Sequence, residues 1–280
     1  LAMQRNEVTE SLIYRKIAGF VKKPEDKKVL LRIAEEEAAH AQTWRKYTGQ
    51  DCAPNQNRVR LYTFLGRTLG YTFAIKRMEN GEENAQNAYA KLSKFVPEAE
   101  KILHDEEAHE QALIGLLDEE RLKYVGSMVL GLSDALVELT GTLAGLTFAL
   151  QNTKLVALSG LITGVSATLS MASSEYLSAK SEGRTDALKS CAYTGVAYCI
   201  TVALMILPYL LLPVSSYALA LAIMLAIVVA EIALFSYYVS VTQDRPFGAR
   251  FGEMAGIGMG VALLAFGIGL LAKQFLWVDV

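Results

Sequence analysis

Five long apolar segments in the second half of the chain restrict its fold more than any other feature of the sequence. They fall at about 126–150, 155–178, 190–212, 216–240 and 253–277. Each has close to the roughly 20 residues that an α-helix needs to cross the hydrocarbon core of a bilayer. Residues 1–124 are instead rich in Glu, Lys and Arg. We therefore predict an all-α chain with a soluble domain over 1–124 and a five-helix transmembrane domain over 125–280.

The composition agrees with this division and excludes some classes of function. Hydrophobic residues make up 52% of the 280 residues, which is high for a soluble protein. The net charge of −2 gives no signal for nucleic-acid binding. Cys52, Cys191 and Cys199 form no C-x-x-C pair, so neither a zinc knuckle nor a rubredoxin-type iron site is encoded.

Apolar residues recur with a helical period in four segments of the soluble half. The pattern predicts helices over 3–20, 25–48, about 57–90, and from Pro97 to about 123. Proline suits the first turn of a helix, which supports the start at Pro97. The longest connection falls between the second and third helices, as in a four-helix bundle with one crossover connection.

A Glu-x-x-His motif occurs on the second and on the fourth of these helices, and the other two helices also offer glutamates. Residues at i and i+3 share a helix face, so each motif can present a carboxylate and an imidazole to one ion. This combination is the ligand set of a di-iron or di-manganese carboxylate bundle. Oxygen ligands with one nitrogen per ion suit Fe(II) and Mn(II). The candidate ligands are Glu7, Glu37, His40, Glu79, Glu82, Glu106 and His109.

Several roles in this half stay open at the level of the sequence. A solvated, glutamate-rich helix face is the alternative to a metal site, although Ala38, Ala39 and Ala108 keep the motif turns slim, as a bundle interior needs. Glu10 lies near Glu7 and competes with it as a ligand. Tyr14 shares the face of Glu7, either as a hydrogen-bond donor behind the ligands or as a packing residue. His104 matches no partner pattern and is expected on the surface.

Carboxylates also occur inside the apolar segments. Asp134 and Glu138 lie one turn apart in the first segment, and Glu175 follows Met171 by one turn in the second. Acids in a bilayer are costly and usually mark a transport path, and a thioether beside them favours a softer divalent ion than Mg or Ca. We predict a path containing these four residues. The alternatives are a packing role for Met171, an interfacial one for Glu175, and a helix–helix hydrogen bond for Glu231 of the fourth segment.

Positive charges concentrate on one side of the predicted spans. The cations on that side follow spans two and four: Lys180, Arg184, Lys189, Arg245 and Arg250. The opposite side has only Lys154 and Lys273. The positive-inside rule then places the N-terminal domain in the cytoplasm and the C-terminus outside, in a multi-pass protein of the cell membrane.

The paired motifs make residues 3–123 resemble the ferritin-like domain of the rubrerythrin family, without its rubredoxin module. The resemblance implies a ferritin-like four-helix bundle with a di-iron site on the seven candidate ligands. It also implies a ferroxidase or peroxidase activity, for which no separate catalytic residue is assigned.

Two stretches of the apolar half resemble the vacuolar iron transporter family of plants and yeast. They are Gly131-Leu-Ser-Asp134-Ala-Leu-Val and Leu169-Ser-Met171-Ala-Ser-Ser-Glu175-Tyr-Leu-Ser178. Plant members carry a helical metal-binding insertion between spans two and three, where this chain has only about ten residues. The ferritin-like domain is therefore expected to replace that collector, and the fusion resembles the membrane-bound ferritins of bacteria and archaea.

The two resemblances together imply an exporter of Fe(II), or of Mn(II), that exchanges the metal for protons and works as a homodimer in the lipid bilayer. A carboxylate must lose its proton to bind metal, so protons returning to Asp134 and Glu138 would expel the ion. The rival interpretation is a membrane-anchored, rubrerythrin-like peroxidase or ferroxidase. A single span would suffice as an anchor, so five spans with internal acids favour the transporter.

Overall fold

Helices make up the regular structure of this protein. The computed structural model describes residues 1–79, 96–114 and 124–276, and these contain ten α-helices and no strand. The chain divides into two compact units, Leu1–Lys123 and Tyr124–Val280. The prediction of an all-α chain is confirmed for the described residues.

Five helices of the first unit lie in the described residues. They are α1 (Ala2–Ala18), α2 (Pro24–Thr48), α3 (Gln56–Thr68), α4 (Tyr71–Glu79) and α5 (Pro97–Ile114). Pro24 opens α2, and Gly49, with a φ of +68°, ends it. The side chain of Asn55 caps α3 by accepting from two backbone N–H groups, which otherwise lack partners in the first turn. Helix α5 begins at Pro97, as predicted.

The prediction of one continuous third helix is wrong. Helices α3 and α4 are separated at Leu69 and Gly70, and Gly70 has a φ of +105°. Residues with a β-carbon rarely adopt this conformation, so the chain changes direction there. Glu79 therefore comes from a helix separate from α3, and Glu82 lies outside the described residues.

The first unit has a closed apolar core. Helix α1 packs along α2 and contacts α3, α2 also contacts α5, and α3 contacts α4. Ile13, Ile17, Leu30 and Ile33 are fully buried, together with Met78 of α4. This packing is compatible with the predicted ferritin-like bundle, which stays a prediction because parts of the third and fourth predicted helices lie outside the description.

The second unit consists of five long helices. They are α6 (Val125–Leu150), α7 (Thr153–Ser181), α8 (Ala187–Leu211), α9 (Tyr217–Gln243) and α10 (Phe247–Leu276). Each is long and apolar enough to cross a membrane, which confirms the five predicted span-length helices. Pro208 lies inside α8 rather than at its boundary, so the connection to α9 begins only after Leu211.

Contacts between polar side chains fix the relative directions of the first three spans. The hydroxyls of Ser127 and Ser190 lie 2.8 Å apart near the starts of α6 and α8, and those of Thr147 and Tyr209 lie 2.7 Å apart near their ends. Helices α6 and α8 are therefore parallel. Glu175, late in α7, accepts a hydrogen bond from Ser127, so α7 runs antiparallel to both.

Glycines permit close approach between several of these helices. A β-carbon added at Gly164 of α7 would lie 2.4 Å from Cγ1 of Val202 on α8. One added at Gly145 of α6 would lie 3.0 Å from the carbonyl oxygen of Ala265 on α10. By contrast, no atom of the described residues lies within 4 Å of the β-carbon positions of Gly252, Gly256 and Gly260 on α10. These glycines of α6 and α7 therefore lie at internal helix contacts, whereas Gly252, Gly256 and Gly260 lie on an open face of α10.

Candidate metal centre and membrane acids

Four of the predicted ligands meet in the first unit. Glu7 comes from α1, Glu37 and His40 from α2, and Glu106 from α5. Each offers one ligand atom, and these atoms all lie within 4.8 Å of one another. Glu7, Glu37 and His40 are at most 5% exposed. A buried set of three carboxylates and one imidazole can hold a metal ion.

Glu37 and Glu106 each direct one oxygen towards each of two imidazoles. Glu37 places Oε2 at 3.6 Å from Nδ1 of His40 and Oε1 at 3.2 Å from Nδ1 of His109. Glu106 places Oε1 at 3.3 Å from the first nitrogen and Oε2 at 3.6 Å from the second. Two ligand atoms bound at right angles to one small divalent ion lie roughly 3 Å apart. Both carboxylates therefore approach both imidazoles closely enough for these side chains to contribute to one metal site.

Several buried polar atoms in this cluster have no hydrogen-bond partner among the described residues. They include Oε2 of Glu37, Nδ1 of His40 and Nδ1 of His109. Buried polar atoms in folded proteins are usually hydrogen-bonded, so this concentration of exceptions calls for a cation. Carboxylate oxygens with imidazole nitrogens suit Fe(II) and Mn(II), and the residues present therefore fit either ion.

The pKa values of the metal-free cluster show how strongly it requires positive charge. Burial lowers the pKa of His40, but the close carboxylates of Glu106, Glu37 and Glu7 outweigh burial and raise it to about 12. Burial also lowers the pKa of His109, and the close carboxylates of Glu106 and Glu37 raise it to about 10. Burial raises the pKa of Glu37 well above its ordinary value. Protons thus supply the positive charge when no metal is bound.

The Nε2 atom of each histidine, which faces away from Glu37 and Glu106, contacts a further carboxylate. Nε2 of His40 lies 3.2 Å from Oδ2 of Asp105, and Nε2 of His109 lies 2.7 Å from Oε2 of Glu36. Such partners fix the orientation and tautomer of a ligating imidazole. Neither acid was predicted as a site residue, although each directly precedes the glutamate of one motif, so that acid-Glu-x-x-His occurs twice.

Glu79 lies on the side of the cluster that contains His109. The Tyr14 hydroxyl donates to Oε1 of Glu79 at 2.5 Å. Burial raises the pKa of Glu79 to about 7, and the charges of Glu106 and His109 also act on it. Tyr14 is itself 2% exposed, so it both packs in the core and orients a candidate ligand, which are the two roles its position left open.

The structure distinguishes Glu7 from Glu10. Glu7 accepts from Nε1 of Trp44 at 3.2 Å and lies 3.7 Å from Nδ1 of His40. Glu10 instead forms an ion pair with Arg58, at 3.3 Å. The third histidine of the chain, His104, lies apart from these ligands. Its side chain is 84% exposed, which confirms its predicted surface position.

A cavity open to solvent reaches His40, one member of the Glu/His cluster. It has a volume of about 470 Å³ and is lined by residues of α2 and α5, among them Glu36, His40 and Asp105. Its walls are polar and also include Lys46 and Lys101. The same acids that hold the histidine rings therefore also line this cavity.

Asp134 and Glu138 of α6 lie beside Tyr198 of α8. The Tyr198 hydroxyl donates to Oε2 of Glu138 at 3.0 Å, and the charges of both acids act on it. Asp134 is half-buried, whereas Glu138 is exposed on the surface of the unit. Tyr198 was not predicted, but it belongs to a buried polar stripe with helical spacing on α8: Ser190, Thr194, Tyr198 and Thr201.

Glu175 lies near the end of the unit at which α6 begins. It is 9% exposed, and its Oε1 accepts from Ser127 at 2.7 Å and from Ser190. Met171, one turn earlier on α7, is half-buried against the apolar core. Asp134 lies seven residues, or about two helical turns, beyond Ser127 on α6. Both carboxylate oxygens of Glu231 are buried without a hydrogen bond of ordinary geometry among the described residues, and the Thr201 hydroxyl of α8 interacts with this carboxylate.

These features define an all-helical protein with five span-length apolar helices and a carboxylate–histidine cluster, and they fit a multi-pass membrane protein that handles metal ions. Residues 125–187 match the VIT family, and that stretch contains all four predicted path residues. The match indicates transport of a metal ion, iron or manganese, across a membrane. Comparison with curated proteins and with solved structures gave no match.

Proposed function

We propose that this chain exports Fe(II), with Mn(II) as the alternative cargo, from the cytoplasm in exchange for protons. In this proposal the N-terminal unit collects or oxidises the metal before export. The observation that carries it is the presence, in one chain, of a buried Glu/His cluster and a VIT-family segment with acids inside apolar helices.

The N-terminal unit would hold a rubrerythrin-like di-metal site. Glu37, Glu106, His40 and His109 would hold the metal, because each histidine Nδ1 faces both carboxylates. Glu7, Glu79 and Glu82 would complete the ligand set. When bound, a di-iron centre supplies one- or two-electron redox chemistry, and the chain contributes the oriented ligands and the polar approach beside Asp105 and Glu36.

Acids inside the spans give a physical basis for exchange of metal and protons. Asp134 and Glu138 bind metal only when deprotonated, so protons and metal exclude one another there. Moving a divalent ion outwards against an inside-negative potential costs about 4.6 kcal/mol per 100 mV, and two incoming protons offset this cost. Met171 would favour softer divalent ions, and Glu175 would receive the ion at the entrance.

The distribution of cations supports a cytoplasmic N-terminal unit in the cell membrane. One end of the spans carries the larger set of described cations: Lys180, Arg184, Lys189, Arg245 and Arg250. At the other end the described residues include Lys154. Basic loops are retained in the cytoplasm. The open glycine face of α10 suits the homodimer that the family resemblance implies, because small residues allow close helix contact in lipid.

Flux measurements on the full chain in proteoliposomes test the proposal. Anaerobic Fe(II) uptake should be fast when the vesicle interior is acidic, and should slow when the pH gradient is collapsed with an ionophore. Zn(II) and Mg(II) serve as comparison ions. Absence of Fe(II) and Mn(II) flux under a maintained gradient would overturn the transporter.

The second candidate is a membrane-anchored peroxidase or ferroxidase, favoured by the metal-type cluster of the first unit. The same preparation distinguishes the two. Steady peroxide turnover or Fe(II) oxidation without metal flux would establish the enzyme, whereas flux that survives loss of both Glu-x-x-His histidines would establish transport by the membrane unit itself.

A further inference from the structure

The connection between α7 and α8 folds back so that the side chain of Arg184 lies near the end of α7. Gly183 has a φ of +73°, and the backbone N–H of Arg184 donates to the carbonyl of Ala179 at 3.0 Å. A left-handed glycine after the last helical turn reverses the chain in this way. As a result, Arg184 lies beside Glu175 instead of pointing away from the spans.

Each nitrogen of the Arg184 guanidinium has an identified neighbour. Nε donates to Oδ1 of Asp186 at 3.1 Å, Nη2 donates to the hydroxyl of Ser190 at 3.4 Å, and Nη1 lies 3.9 Å from Oε1 of Glu175. Asp186 is held in turn, because the Tyr124 hydroxyl donates to its Oδ2 at 2.9 Å. A planar group with three fixed neighbours is oriented by the fold.

Arg184 is the charged partner of Glu175 among the described residues. The other groups on Oε1 are the neutral hydroxyls of Ser127 and Ser190. Glu175 is 9% exposed, and the Arg184 side chain is 33% exposed. The guanidinium is therefore the more exposed member of this pair, and the carboxylate the more buried one.

We propose that Arg184 competes with the incoming metal ion for Glu175 and thereby sets the affinity of the transport entrance. This inference rests on the proposed function, because it takes Glu175 to be part of the metal path. A divalent ion binds a carboxylate oxygen at about 2.1 Å, and a guanidinium still 3.9 Å from that oxygen would repel it. The guanidinium must therefore move away, and Asp186 remains available as its partner.

Such competition is useful to a transporter. A conducting site must bind its ion strongly enough to admit it and weakly enough to release it. A buried carboxylate without a competing cation would hold the ion longer. Arg184 would thus act as a positioning and affinity-setting residue, with no direct contact to the metal.

The test is the dependence of initial Fe(II) flux on Fe(II) concentration in proteoliposomes of the full chain. Arg184→Gln keeps hydrogen-bonding groups but removes the charge, and should lower KM by about two- to fivefold, the range expected for a half-exposed ion pair, while kcat falls or stays constant. Arg184→Lys should stay within about twofold of the unchanged protein because the charge is retained. Lys189→Gln, which removes a charge from the same end of the spans, is the control for general surface electrostatics.

A double-mutant cycle separates competition from a purely structural role. In a Glu175→Gln background the Arg184→Gln change should leave KM unaltered, because the contested carboxylate is gone. Arg184→Ala, which also removes the charge, should reproduce the effect of Arg184→Gln. An unchanged or raised KM in both charge-removing variants, or an equal shift in Lys189→Gln, would overturn the inference.

Failure of this inference is distinguishable from failure of the proposed function. If the protein transports Fe(II) and only the KM shift is missing, the competitor role of Arg184 is wrong and the transporter stands. If no Fe(II) or Mn(II) flux occurs in the unchanged protein, the transporter itself is wrong.

Discussion

In the N-terminal unit, the charges of the clustered glutamates and histidines balance one another when no metal ion is bound. The carboxylates of Glu37 and Glu106 lie close to the imidazoles of both His40 and His109, and their negative charge raises the pKa of His40 to about 12 and that of His109 to about 10. At pH 7 both rings are therefore protonated in the metal-free protein. A metal ion can bind Nδ1 only after that proton leaves.

Metal loading is therefore expected to acidify a weakly buffered solution. At pH 7, saturating Mn(II) under anaerobic conditions should release at least about two protons per chain, one from each raised imidazole. A pH-indicator dye or potentiometric titration measures the release. His104→Ala is the matched control, because that ring is 84% exposed and should not contribute. Stoichiometric Mn(II) binding with no proton release would show that the rings are already neutral.

Asp134 is predicted to be essential for transport. Asp134→Asn keeps the shape of the side chain but removes the anionic ligand and the exchangeable proton, so Fe(II) flux should fall to background. Metal content of the N-terminal unit, measured by elemental analysis, should not change. Met171→Leu provides the comparison: it loses the thioether and keeps the bulk, so it should alter preference among divalent ions more than the maximal rate. Proton-coupled flux at the unchanged rate in Asp134→Asn would move the path to Glu175 or Glu231.

The residues that meet in the cluster were largely predictable, and their supporting partners were not. The i, i+3 spacing alone places Glu37 beside His40 and Glu106 beside His109 on their helices. The pairing of Asp105 with His40, however, joins α5 to α2, and depends on the rotation and depth of one helix against the other. The periodicity of residues within one helix contains no information on how that helix is rotated against another.

At the scale of elements, the apolar helices of the second unit were easier to predict than the helices of the first. Backbone groups in lipid must be bonded within the helix, so a long apolar segment leaves few alternatives. In the first unit the helical pattern of apolar residues continued through Leu69 and Gly70, whereas in the structure one helix ends before these residues and the next begins after them. A glycine inside a helix costs only about 1 kcal/mol, so the sequence pattern could not decide between a helix and a turn there.

Close contact between α7 and α8 makes Gly164 sensitive to substitution. A methyl group there would meet Val202 at 2.4 Å, so Gly164→Ala must shift one helix or the other. Overpacking of this kind costs about 1–3 kcal/mol. We expect the melting temperature of the full chain in detergent to fall by several degrees, measured by thermal unfolding. Gly126→Ala is the control, because no atom of the described residues lies within 4 Å of its added carbon. Equal melting temperatures for the two variants would contradict the packing.

For the whole molecule, the charge asymmetry of the sequence corresponds to a division into two compact units, Leu1–Lys123 and Tyr124–Val280. That division follows from where charged and apolar residues concentrate. The ferritin-like identity of the first unit depends on the complete course of four helices, and residues 80–95 and 115–123 lie outside the described residues. It therefore stays a prediction.

Orientation in the membrane is testable with single cysteines. Ser215→Cys lies in the α8–α9 connection and Glu182→Cys at the end of α7, both at exposed positions. On a background in which Cys52, Cys191 and Cys199 are serine, an impermeant maleimide should label Ser215→Cys in intact cells. It should label Glu182→Cys only after lysis, because basic loops stay in the cytoplasm. The reverse pattern would overturn the proposed direction of export.

The acids on the Nε2 atoms of His40 and His109 have a further consequence, which concerns how fast metal binds. Each ring already has a neighbour at both nitrogens in the metal-free state, so its rotation is restricted before an ion arrives. Immobilising a side chain during binding costs about 0.5–1.5 kcal/mol, and here folding has already met that cost. Side-chain rearrangement should therefore not limit association, which should instead follow the rates at which Nδ1 loses its proton and the incoming ion loses its own water.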